Sequence, residues 1–202
     1  MPLKSQSRRA ALKALGATAG AAALVPWLSD EGLLAFTKIQ ATQAPPKPLV
    51  LSPAQYATLE AFVETIIPAD DRSPGAKEAR VADYVDLLLS ESDERVKLQW
   101  FGGLAELDEE ARARFGAPFH ELSAARMETL AGDISRNEAK PQAPIETFFV
   151  MAKTATIHGY YTSEIGIHKE LQYKGNQFAT DFVGCHTVDG KDCPHCGQKA
   201  NP

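Results

Sequence analysis

Cysteine is nearly missing from this chain: it has three, all within the last 18 of its 202 residues and none where a hydrophobic core is expected. A body stapled by disulfides or built on thiolate-bound metal is therefore not expected. Other signatures are missing too. No Gly-x-Gly-x-x-Gly follows a strand, so no dinucleotide-binding turn is legible. No Cys-x-x-Cys-His offers a c-type haem attachment, and there is no serine elbow or paired-histidine metal helix. Period-2 alternation is nowhere sustained, which argues against strands. No internal repeat is visible. Positive charge is outnumbered, with 21 Lys and Arg against 26 Asp and Glu. The formal net charge is −5; five basic and two acidic residues before Pro45 leave +3 there and −8 beyond. Such an acidic body repels phosphate backbones, so nucleic acid is not an expected partner. Hydrophobic content of 44% and charged content of 23% are those of an ordinary globular chain, long enough for one domain with a core.

The N-terminus has the form of an export signal. Ser5-Gln-Ser-Arg8-Arg9-Ala-Ala-Leu12-Lys13 precedes an apolar stretch from Ala14 to Leu28. A basic segment followed by a short apolar run is a secretory pattern. Arg8, Arg9, Leu12 and Lys13 resemble the twin-arginine consensus, with Ala11 where an aromatic is usual. The run contains Gly16 and Gly20 and falls short of the about 20 apolar residues of a membrane span. Residues 1–28 are thus expected to be a twin-arginine signal, with an amphipathic helix or an uncleaved anchor as the alternatives, and 29–50 a linker holding the cleavage region. Ile39-Gln40-Ala41 and Thr42-Gln43-Ala44 both end in a small residue, and Pro45, Pro46 and Pro48 follow.

From Leu51 the pattern is helical. Ser52-Pro53 is a helix start, with apolar residues at Tyr56, Leu59, Phe62, Val63, Ile66 and Ile67 before Pro68. A second helix carries Val81, Tyr84, Val85, Leu88 and Leu89. A third carries Leu98, Phe101, Leu104, Leu107, Ala111 and Phe115, with Gly102-Gly103 a candidate bend. A fourth follows Ser123, with Met127, Leu130 and Ile134; a fifth opens at Pro144, with Phe148, Phe149, Ala152, Ala155 and Ile157. The expected fold is all-α: a compact domain of about five helices over 51–180, irregular from about Tyr160, with a Cys-containing tail over 181–202.

Two segments carry a family likeness. One is Thr65-Ile-Ile-Pro-Ala-Asp70-Asp71-Arg72-Ser73-Pro74-Gly75-Ala76, leading into Val81-Ala-Asp-Tyr-Val-Asp86. The other is His158-Gly-Tyr160-Tyr161-Thr162-Ser163-Glu164, leading into Leu171-Gln-Tyr-Lys-Gly-Asn176. With the leader, the chain resembles the gluconate 2-dehydrogenase subunit 3 family over roughly residues 1–180. The resemblance implies a non-catalytic small subunit without a cofactor of its own. Its large partner would be an FAD-dependent dehydrogenase of the glucose-methanol-choline type, acting on a sugar, sugar acid or alcohol. That partner often lacks a signal and is carried through the twin-arginine translocase into the periplasm. A subunit with c-type haems often takes the electrons.

Several residues hold two readings. Asp70, Asp71 and Arg72 are either a partner contact or a capped turn. Tyr160 and Tyr161, with Thr162 and Ser163, fit an interface or a core, since tyrosine joins apolar area to a polar tip. His158 and His168 lie ten apart, which is not one-face helical spacing for a metal pair. In the tail, Cys185, His186, Cys193 and Cys196 have metal-ligand chemistry. Cys193-Pro-His-Cys196 is also a disulfide-oxidoreductase sequence, but six residues after Cys196 leave no room for the helix that would activate a thiolate. A structural disulfide in an oxidising compartment is the plain alternative. An independent thiol-redox or metal-binding protein is thus the rival expectation, separable by metal analysis and thiol titration.

Overall fold

Every helix expected in the body forms, and a further one precedes them. The computed structural model describes residues 27–42 and 45–175. The chain divides into two compact units, Met1–Gln172 and Tyr173–Pro202, and only 173–175 of the second are described. Within the first lie α1 (Asp30–Ala41), α2 (Pro53–Ile66), α3 (Val81–Ser90), α4 (Glu94–Phe115), a 3-10 turn (Phe119–Glu121), α5 (Ala124–Ser135), α6 (Pro144–Thr162) and a π turn (Ile165–Glu170). No strand occurs among the described residues. None of their helices is long and apolar enough to cross a membrane.

Helix α2 is central, packed against α3, α4, α5, α6 and the 3-10 turn. Its start is a capping box: Ser52 Oγ accepts from Gln55 N at 3.3 Å and Gln55 Oε1 accepts from Ser52 N at 2.9 Å, with Pro53 in the first turn. Its inner face buries Tyr56, Leu59, Phe62 and Val63. Phe62 is the hub of an aromatic cluster, edge-on to Phe119 at 5.4 Å and stacked on Phe148 at 5.8 Å. Helix α3 is buried on all sides from Val81 to Leu89, as a helix apolar around most of its girth must be.

The Gly102-Gly103 pair does not bend α4, which runs unbroken from its Asp93 cap to Gly116, the latter at φ 81°. Gly103 instead admits the Phe148 ring: a Cβ there would overlap it. Trp100 packs edge-on to that ring at 5.7 Å. Leu98, expected inside, is 67% exposed, and Trp100 holds the buried position. Ser123 stands at the start of α5, but its side chain caps no amide there. At the other end, α6 continues through Tyr160 to Thr162 and a π turn follows, where an irregular stretch was expected.

The largest departure lies in the expected linker. Asp30–Ala41 is a capped helix with Ser29 Oγ accepting from Gly32 N at 2.9 Å, Asp30 and Glu31 in its first turn and Lys38 in its last. Phe36 is 1% exposed and meets Tyr84 of α3 edge-on at 5.3 Å. Burying that ring contributes roughly 2 kcal/mol.

Candidate functional site

The two segments that carry the family likeness, about ninety residues apart in sequence, are bonded to each other. The loop after α2 is shaped first by its own backbone. Asp70 Oδ1 accepts from Arg72 N at 2.8 Å and from Ser73 N at 2.9 Å, while Asp70 N donates to Ser73 O at 3.0 Å. This is an Asx-type turn. The two amide bonds hold the Asp70 carboxyl below the usual carboxylate range. Glu64 supports the loop from below, accepting from Ala69 N at 3.2 Å and Lys77 N at 2.7 Å. Gly75 lies against that carboxylate, and a Cβ there would overlap it. This explains a glycine in the Ser-Pro-Gly-Ala run by close approach rather than by torsion.

Tyr160, on the last turn of α6, closes onto this loop. Its hydroxyl donates to Pro74 O at 2.7 Å and lies 2.7 Å from Ser73 Oγ. A phenol has one proton, so Ser73 is the donor in the second bond. Tyr160 is 2% exposed, and burial pushes its phenol up from the ordinary range. Ser163, also buried, ends α6: its hydroxyl donates to Tyr160 O at 2.5 Å and accepts from Gly166 N at 3.0 Å, fixing the π turn. Outside these contacts, Arg72 reaches Glu170 of the π turn at 3.2 Å rather than the neighbouring aspartates.

The seven residues expected at a partner surface therefore divide. Tyr160 and Ser163 are interior, and the hydroxyls of both are engaged in joining α6 to what surrounds it, the arrangement that the core reading of Tyr160 describes. Asp70 is exposed but committed to its own turn. Asp71, Arg72, Tyr161 and Thr162 remain at the surface, Tyr161 edge-on to Tyr160 at 5.3 Å. His158, one helical turn earlier, lies against Trp27, their ring centroids 4.0 Å apart and their planes tilted by 39°. Burial lowers its imidazole from the ordinary range, and its Nδ1 meets no hydrogen-bond partner. His168 is exposed on the π turn. Among the described residues no group of three or more His, Cys, Asp or Glu could hold a metal. Arg8, Arg9, Leu12 and Lys13 of the leader, and Cys185, His186, Cys193 and Cys196 of the tail, lie outside the described residues.

A family model for gluconate 2-dehydrogenase subunit 3 matches residues 53–179, more than half of the chain and both bonded segments. The chain belongs to the gluconate 2-dehydrogenase subunit 3 family. No curated protein and no solved structure matches it. The family is named for one subunit of a dehydrogenase, and this subunit 3 chain is all-α over its described residues.

Sequence reasoning passed over two further acids of this subunit, Asp83 and Asp86, both buried in α3. Asp83 accepts from Tyr56 Oη at 2.9 Å and pairs with Arg80 Nε at 2.7 Å. Burial still raises its carboxyl, and raises the Tyr56 phenol facing it. Asp86 gathers three successive amides, Leu49 N at 2.5 Å, Val50 N at 3.1 Å and Leu51 N at 2.9 Å. The available signal was two aspartates at i and i+3 inside an otherwise apolar helix. Both are spent on structure, one pinning α2 and the other the strand of chain that enters it.

Proposed function

We propose that this chain is the non-catalytic small subunit of an FAD-dependent sugar, sugar-acid or alcohol dehydrogenase. In this reading it escorts a large flavoprotein of the glucose-methanol-choline type through the twin-arginine translocase and stays with it in the periplasm. A c-type cytochrome subunit receives the electrons. The chain itself holds no cofactor. The observation that carries the reading is the family match over residues 53–179. Two others support it. The polar groups at the junction of the two family segments, Asp70, Ser73, Tyr160 and Ser163, are engaged in holding the fold and are not left converging on an open space. The surface beside that junction presents Asp71, Arg72, Tyr161 and Thr162, the residue types of an interface rim around an aromatic anchor.

Affinity purification of the full chain from its native host tests this. The expected result is a co-purifying large subunit that carries FAD and oxidises the substrate, with the small subunit alone free of flavin. Tyr161→Ala should reduce recovery of the large subunit while leaving the circular dichroism of this chain unchanged, since an aromatic anchor costs about 2 kcal/mol or more when truncated. Stoichiometric FAD on the isolated small subunit would refute the proposal. Replacing Arg8 and Arg9 by Lys should leave both subunits in the cytoplasm; normal export of that variant would overturn the twin-arginine part of the reading.

A further inference from the structure

Helix α1 lies outside the family match, between the expected leader and the first matched residue, and the sequence placed candidate cleavage points at its end and just past it. We propose that residues 27–41 are a permanent part of the mature subunit, and that any removal of the leader occurs before Trp27, not after Ala41 or Ala44. The cut itself rests on the export reading; the permanence of the helix does not.

Three contacts carry the inference. At the front of α1, Ser29 donates its backbone amide to Glu91 Oε2 at 2.9 Å and its hydroxyl to Glu91 Oε1 at 2.7 Å. The same hydroxyl accepts from Gly32 N, so one serine caps α1 and ties it to the end of α3. Gly32 makes room for this, since a Cβ there would stand 2.6 Å from Glu91 Oε1. In the middle, Leu28 and Phe36 are buried in the common core. At the back, Gln40 Nε2 donates to Ala79 O at 3.3 Å. The helix is thus anchored at both ends and at its centre to α3 and the turn before it.

The bond after Ala41 is poorly placed for a peptidase. Thr42 N donates to Lys38 O and Ile39 O at 3.2 Å each, and Thr42 Oγ1 closes on Ile39 O at 2.9 Å. Residues Ile39–Thr42 would have to leave this helical end and extend before entering a protease cleft, whereas nicking favours exposed loop tips. The bond after Ala44 leads into Pro45, whose nitrogen carries no hydrogen. A cut at either place would also sever Phe36 from the body it helps to bury. By contrast, Trp27 is 61% exposed and lies against His158 at the end of α6.

Intact-mass analysis and N-terminal sequencing of the native subunit, with hydrogen exchange on the same full-length protein, test the proposal. The expected mature chain begins at or before Trp27, and amides from Leu33 to Ala41 exchange at least roughly a hundredfold slower than unprotected amides. A mature chain beginning at Thr42 or Pro45 overturns the proposal. If the chain never leaves the cytoplasm, the export reading fails, and exchange on that precursor still decides: slow amides over 33–41 uphold a permanent helix, and amides exchanging at the unprotected rate overturn it. Glu91→Ala provides an internal control, expected to accelerate exchange at Gly32 and Leu33 without unfolding α2.

Discussion

Removing the Tyr160 hydroxyl separates an anchoring role from a docking role. Tyr160→Phe keeps the ring, with its packing against the neighbouring helix turn, and deletes the bonds to Pro74 O and Ser73 Oγ, each 2.7 Å. Two neutral hydrogen bonds are worth about 1 kcal/mol apiece. Ser73 Oγ already lies 3.4 Å from Pro74 O and recovers part of the loss by turning toward it. The expected net cost is about 1–1.5 kcal/mol, or a fall in Tm of roughly 2–6 °C for a domain of this size. Tyr160→Ala adds a cavity and should cost about 3–5 kcal/mol. Urea unfolding followed by circular dichroism is the assay, with an unchanged slope showing that native stability is what moved. Combining Tyr160→Phe with Ser73→Ala should reveal coupling of at least about 0.5 kcal/mol. A Tyr160→Ala protein that unfolds like the native chain yet loses its large subunit would refute the reasoning, because it would return Tyr160 to the surface.

Two neighbouring glycines should respond with opposite signs. Gly102 is open to solvent, and a Cβ there meets nothing within 4 Å, so Gly102→Ala should stabilise α4 by about 0.5–1 kcal/mol. Gly103→Ala drives a methyl into the Phe148 ring and should cost about 1–3 kcal/mol; equal effects in thermal melts would contradict the packing described. The third prediction concerns acidity. The His158 imidazole titrates below its ordinary value in the fold because burial disfavours its charge. The unfolded chain, near about 6.5, therefore takes up this proton first. The contribution of His158 is complete above about 6.5 and declines as pH falls from there toward the folded pKa. His158→Gln should flatten that part of the stability profile below about pH 6.5; superimposable profiles would remove His158 from the account.

Local signals were legible where the deciding atoms are close in sequence. Ser52-Pro53 and Pro144 start helices because caps and proline torsions are properties of a few adjacent residues. Both family segments could be quoted, but not that they touch: Ser73 and Tyr160 meet only after α6 has packed. Helical spacing assigns residues to faces without saying which face turns inward, so Leu98 was placed inside in favour of Trp100 two positions on. Helix α1 was missed because leader and prolines bracket it, although Ser29-Asp30-Glu31 ahead of Phe36 and Lys38 had the elements of a capped helix. The roles of Asp83 and Asp86 were out of reach, since their donors come from Tyr56, Arg80 and residues 49–51 of other parts of the fold.

The bond between Ser73 and Tyr160 spans 87 residues, which places it late in the life of the nascent chain. The loop after α2 cannot take its final hold until the ribosome has delivered the end of α6, by which time the twin arginines have long been made. At translation rates of about 5–20 residues per second, the interval between Leu28 and Tyr160 is on the order of ten seconds. During that interval residues 1–28, the leader of the proposed export reading, have been made while the body behind them still lacks this contact. On the proposed export reading, a transport system that accepts only folded cargo would meet the address before the Tyr160 latch has closed, and the Arg72–Glu170 pair closes ten residues later still.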